Sequence, residues 1–310
     1  MTSDARGSRI RVTLSCSSVY PLGCEAGFAT AARLGYDGVE VMVLGDPLTQ
    51  DAGVLRGYAD KHGVPVLSIH APTLLISQRV WGTTDPWTKV DRSIELAHDV
   101  GAEVVVVHPP FRWQRDYASG FTDGVAERED RTAMRLAVEN MFPWRARNTD
   151  IQVYLPGWDP VPHPYDNVTL DLSHTATAGS DALAMQAALG GRLSHVHMAD
   201  GSGSFMDEHL VPGRGTQPCG EFLSRLPEIG YEGVVCLEVG TRRATPEQRE
   251  LDLLEALAFV RLHLGQPPDV APPTYSYVAR PTTMRAAAAR RRERREDRRD
   301  RRAARRRLRG

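Results

Sequence analysis

Residues 193–215 read LSHVHMADGSGSFMDEHLVPGRG, and their reading decides the fold. Positions 193–198 alternate apolar and polar residues, the pattern of a half-buried strand. Side chains in a strand repeat every second residue, so His195 and His197 share one face. The loop behind them carries Asp207 and His209, also two apart, and closes on the turn PGRG. Imidazole and carboxylate groups at the end of a strand suit a divalent metal. One such loop also reads as a surface loop with a few histidines. What decides between the two is whether other strands end in the same way.

Working outward, strands are expected at 10–15, 38–43, 66–70, 104–108, 136–140, 168–171, 193–198 and 233–238. Between them, helices are expected at 25–34, 51–62, 85–100, 123–131, 181–189 and 220–229, with a long one at 246–264. Residues 142–167 are rich in Pro and Trp and show no helical pattern, so a loop replaces the helix of the fifth unit. Strands alternating with helices imply right-handed parallel crossovers. Eight such units over residues 9–264 predict an α/β fold, a (β/α)8 TIM barrel rather than an open sheet. Neither GxGxxG nor a P-loop follows the first strand, which disfavours a nucleotide fold.

The remaining chain is of a different kind. Residues 265–284 are a Pro-rich linker, and residues 285–310 carry 14 arginines and four acidic residues. The other 284 residues hold 24 basic and 35 acidic groups, so an acidic body bears a basic tail. That density of like charge predicts a disordered tail. Its arginines suit nucleic acid or an acidic partner, including a sister subunit in a homo-oligomer. No apolar run is long enough to span a membrane. The four cysteines show no CxxC spacing and read as reduced thiols of a cytoplasmic protein.

A parallel barrel puts its chemistry at the C-terminal ends of its strands. Strands three to eight finish, in turn, at His70, at His108, at Glu139, at Asp171 (with His174 one turn on), at His197 (with Asp207 and His209) and at Glu238. Any one of these reads as a cap or turn residue. Together they read as a metal centre, because several carboxylates facing one another need a cation. His195 lies a layer deeper than His197, as support rather than ligand. Glu40, at the end of the second strand, either lines the pocket or bonds a turn. Trp81, Trp113, Trp144 and Trp158 fall in loops at the same end, where indole stacks on sugar or anchors a loop; Trp113 is taken as a substrate contact.

The motifs SIHAPT, VVHPP, AVENM, TLDLSH, HVHMAD, DEHLVPGRG and LEVG occur in this order over residues 9–264. In order and spacing the chain resembles the xylose isomerase-like barrel superfamily, which includes sugar-phosphate isomerases and epimerases, ketose 3-epimerases and endonuclease IV. The resemblance to the epimerases implies one divalent ion (Mn, Mg, Co or Zn) held by Glu139, Asp171, His197 and Glu238. It implies that Glu139 and Glu238 also form the acid/base pair, and that His174 and Arg214 contact substrate oxygens. The expected reaction is proton transfer through an enediolate on a small sugar or sugar phosphate. The resemblance to endonuclease IV implies instead three zinc ions on a larger set that adds His70, His108, His174, Asp207 and His209, and hydrolysis of a phosphodiester at an abasic site. Against that alternative, its DTCH signature reads DLSH here and its HLND reads HMAD. A third reading is a metal-binding barrel that has lost catalysis and serves as a partner module.

Overall fold

The computed structural model describes residues 9–73, 79–146 and 149–266. The leader at residues 1–8, nearly all of the linker and the Arg-rich tail lie outside the described residues.

The chain begins with β1 (Arg11–Ser15), α1 (Cys24–Leu34), β2 (Gly38–Met42), α2 (Ala52–His62), β3 (Val66–His70), α3 (Pro86–Val100) and β4 (Val104–Val107). It continues with α4 (Arg115–Ser119), α5 (Phe121–Thr132), β5 (Arg135–Glu139), a hairpin of β6 (Trp144–Ala146) and β7 (Thr149–Ile151), and β8 (Val168–Asp171). Then follow α6 (Leu172–Ala178), α7 (Ala182–Leu189), β9 (Leu193–Met198), α8 (Cys219–Glu228), β10 (Val234–Leu237) and α9 (Pro246–His263). Eight parallel strands close in the order β1-β10-β9-β8-β5-β4-β3-β2, which is the predicted barrel.

The helices start where the local chemistry says they should. Asp51, Asp85, Asp181 and Thr245 each accept a main-chain N–H of the first turn, and Pro86 and Pro246 sit at the starts of α3 and α9. Gly63 and Gly101 end α2 and α3 at φ 66° and 76°, a left-handed conformation that an added Cβ would strain.

Three parts of the expectation change. The charged stretch at 123–131 is helical as expected, within α5, but a further short helix, α4, precedes it. The Pro-rich segment after β5 holds an antiparallel hairpin and no described helix. A helix not anticipated, α6, starts directly at Asp171, which caps it through Oδ1 on the N–H of His174 at 2.8 Å.

Outward-facing side chains such as Leu14, Val41, Ile69, Val105, Leu136, Leu170, Val196 and Leu237 pack with Phe28, Phe121 and Phe222 in the main core between barrel and helices. Inside the barrel, Val104, Val106 and Ala137 form a separate small apolar cluster. The rest of the interior is polar and fully buried: Glu40, Ser68, His195, His197 and Asp171 have no exposed surface. Barrel interiors usually carry branched apolar residues, so this polar interior marks where the fold supports a site.

Candidate metal centre

The strand ends bring the predicted residues together. Glu139, Asp171, His197 and Glu238 place one ligand atom each within 4.8 Å of one another. So do His70, His108 and Glu139 on one side, and Asp171, His174 and His209 on the other. Glu139 and Asp171 are thus shared between neighbouring groups. Asp207 joins the third group, with Oδ2 2.8 Å from Nε2 of His209 and 3.3 Å from Nε2 of His174.

The orientation of the imidazoles tells what the groups can hold. Nδ1 of His70, His174 and His209 lies 2.8, 2.8 and 2.9 Å from the main-chain carbonyls of Ala71, Asn140 and Glu238. A carbonyl only accepts, so each Nδ1 carries a proton. In the neutral ring the other nitrogen is then a lone pair, and it points at a carboxylate: Glu139 for His70, Asp207 for His174 and His209. A lone pair facing a carboxylate needs either an extra proton or a metal ion between them, and main-chain support of the far nitrogen is the usual arrangement around a bound metal.

The carboxylates agree. Oδ1 of Asp171 is used in capping α6, while its Oδ2, though buried, has no hydrogen-bond partner. Oε2 of Glu139 is also buried without one, although Nε2 of His108 lies 2.8 Å and Nε2 of His70 3.4 Å from it. Contact without hydrogen-bond geometry is what ligand atoms converging on a common ion show. The residues therefore fit a divalent metal.

Without an ion, the charges polarise one another. Burial disfavours ionisation of Glu139, but the nearby His197 and His108 outweigh it and hold the carboxyl well below the usual range. Burial pushes Asp171 up, with His174 and His209 only partly offsetting it. Burial works against protonation of His174, yet Asp171 and Asp207 push it up to about 10. His197 and His209 also rise well above an ordinary histidine, because surrounding carboxylates outweigh burial. Groups shifted this strongly by burial and by one another are characteristic of candidate functional sites.

Several residues that hold the site in place gave little signal in the sequence. The side chain of Asn140 accepts the N–H of Asp171 at 2.6 Å and donates to its carbonyl at 3.0 Å, locking the end of β8 to the end of β5. Ser17 donates to Oε1 of Glu238 at 3.0 Å. Ser173 donates to Asp207 at 2.6 Å and accepts the N–H of His209 at 3.0 Å. Asp200 has no exposed surface and accepts the N–H groups of Gly201, Gly213, Gly215 and Gln217, folding the loop that carries Asp207 and His209. His209 itself sits at φ 44°, a strained conformation for a non-glycine residue and one often found at functional sites. The HMAD motif was the available signal for Asp200.

The two residues expected to contact substrate each have partners within the chain. Arg214 donates to Asp252 at 2.7 Å and to Glu255, both on α9. Trp113 is more than half exposed and stacks on Phe111, ring centroids 4.5 Å apart, within an aromatic group that includes Trp144 and Tyr154. All four cysteines are buried free thiols. Among the described residues no helix is long and apolar enough to cross a membrane.

The sequence model described as a xylose isomerase-like TIM barrel matches residues 28–263. An uncharacterized protein of Mycobacterium tuberculosis is 50% identical over 275 residues, covering 82% of this chain and 98% of that one. A D-tagatose 3-epimerase-like protein of known structure superposes with a TM-score of 0.59 at 25% identity, covering 82% of this chain and 99% of that one. A family 2 AP endonuclease from Brucella melitensis superposes with a TM-score of 0.59 at 20% identity, over 77% and 96% of the two chains. At 20% the likeness speaks for the fold alone.

Proposed function

Because the chain belongs to the xylose isomerase-like TIM barrel family, we propose that it is a divalent-metal-dependent isomerase or epimerase of a small sugar or sugar phosphate. The observation that carries this reading is the four-residue group Glu139, Asp171, His197 and Glu238, closed within 4.8 Å at the barrel mouth. Its likeness to a D-tagatose 3-epimerase-like protein supports the substrate class. A bound Mn, Mg, Co or Zn ion would supply a Lewis acid for the sugar carbonyl and its neighbouring hydroxyl.

The chain's own residues would do the rest. Glu238 is the more open of the two glutamates, its side chain 12% exposed against 1% for Glu139. With one oxygen oriented by Ser17, it would take the proton from the substrate carbon, leaving an enediolate. Glu139 would hold the ion and relay to the carbon a proton drawn from the neighbouring His174. The proton taken by Glu238 would leave to solvent, and His174 would be recharged from solvent. His174 faces the same space, and Trp113 would offer a stacking face for a sugar at the rim.

A second reading is favoured by a specific observation. Two further groups, His70/His108/Glu139 and Asp171/His174/His209, flank the four-residue group. Three adjacent zinc ions would suit hydrolysis of a phosphodiester. The deciding experiment measures metal per chain by elemental analysis, then assays two activities. One ion exchangeable for Mn or Co, with deuterium entering D-tagatose or another ketohexose from deuterated water, supports the isomerase. Three retained zinc ions with cleavage of an abasic-site duplex would sink it.

A further inference from the structure

Three of the histidines are steadied by main-chain carbonyls, as described above. His197 is steadied differently. Its Nδ1 faces the acidic centre, 3.0 Å from Glu139 and 3.2 Å from Glu238. Its Nε2 lies 3.0 Å from Oε1 of Glu40, a carboxylate on β2 that reaches it across the barrel interior. The other oxygen of Glu40 accepts from Ser68 at 2.7 Å and lies 2.9 Å from Nε2 of His195. Glu40, Ser68, His195 and His197 have no exposed surface. A carboxylate buried this deeply must be compensated by donors; the Ser68 hydroxyl and the two imidazoles meet it directly, with the thiol of Cys236 beside them. The register between β2 and β3 shifts between Val39 and Glu40, and such irregularities re-aim a side chain.

We propose that Glu40 is a positioning residue: it holds the proton of His197 on Nε2 and so presents the Nδ1 lone pair to the acidic centre. His195 is held the same way and braces the carboxylate from beneath. The consequence for metal binding rests on the metal-dependent reading given above, whereas the placement of the protons does not. The competing possibility is a second, deep ion. Glu40, His195, His197 and Cys236 also place ligand atoms within 4.8 Å of one another. An ion there would occupy the Nε2 lone pairs and leave no Nε2–H, so the two arrangements exclude each other.

The test uses the full chain labelled with 15N-histidine. Long-range 1H–15N correlation spectra of the Zn-loaded and of the chelator-treated protein, assigned with single His→Gln variants, report which ring nitrogens carry protons in each. Protonated Nε2 is expected on both His195 and His197, exchanging slowly with water. Glu40→Gln offers one accepting oxygen and an NH2 group, so only one ring can keep its Nε2–H bond. One protonated Nε2 signal should then be lost, and Zn affinity measured by calorimetry should fall about 10–100-fold. Ser68→Ala removes a donor but leaves both ring contacts, so both Nε2–H signals should remain. An unprotonated Nε2 on His197 in the wild type overturns the proposal, as does a Glu40→Gln variant that binds Zn as tightly as wild type. A wild-type chain that takes up no metal, yet shows protonated Nε2 on both rings, upholds the placement and defeats the metal-dependent function instead.

Discussion

Glu139 is the residue on which the two enzymatic readings meet. Its two oxygens face His70, His108, His174 and His197, and it belongs to two of the candidate groups. Glu238 belongs to one of them and touches Ser17 and His197. Their amide variants should therefore fail differently. Glu238→Gln is expected to keep most of its bound metal while proton exchange at the sugar falls about 10²–10⁴-fold, the usual worth of a positioned acid or base. Glu139→Gln should lose both metal and exchange. Elemental analysis and deuterium incorporation on the two variants check this, and equal metal loss in both would argue against the division of roles. Both glutamates were legible in the sequence as strand ends. That one would be enclosed by four imidazoles and the other left partly open was not, because enclosure depends on neighbours from β3, the loop after β4, α6 and β9 at once.

Among the elements, the loop between β9 and α8 shows how a site is carried on irregular backbone. Its organiser is Asp200, whose carboxylate gathers four main-chain N–H groups. A Cβ added at Gly215 would lie 2.2 Å from Oδ1 of Asp200 and 2.5 Å from the carbonyl of Gly201. Gly215→Ala must therefore push the carboxylate off its donors or move the loop. The expected cost is about 1–3 kcal/mol, that of stranding buried polar groups, read from denaturant unfolding. Because Asp207 and His209 ride on this loop, the variant should also weaken metal binding; unchanged stability and binding would show that the loop does not depend on Asp200. The PGRG turn was visible in the sequence, but its partner was not, since Gly215 and Asp200 meet only when the loop folds back on itself. The same holds for Arg214, whose partners lie on α9.

For the whole molecule, charge couples the site to pH. In the metal-free protein His174 titrates near 10, and His197 and His209 well above an ordinary histidine. Above pH about 6.5 the unfolded chain has released these protons while the folded chain keeps them. The folded state then binds more protons, so stability falls as pH rises from about 6.5 toward the folded values. On the acid side, Glu40 and Glu139 are depressed, so their contribution is lost as pH falls below the ordinary carboxylate range. Metal must displace protons from its imidazole ligands, so its affinity should rise over the window in which the metal-free protein weakens. Thermal unfolding at pH 6.5 and 8.5 should show the chelated protein less stable at the higher pH and the metal-loaded protein not so. The same downward trend in both would sever the link between these histidines and metal.

By itself the sequence determined the barrel and the donor set at its mouth. Alternating strands and amphipathic helices are local patterns, and the ends of six successive strands could be read without knowing how they meet. The tertiary structure decided which atoms of those donors are committed and which are left open. Glu40 and His197 lie 157 residues apart in the chain and 3.0 Å apart in the barrel. No periodicity links them, because their contact depends on closure of the barrel. HVHMAD announces a histidine; only the closed barrel says which of its nitrogens faces the acids, because that choice belongs to a carboxylate on another strand.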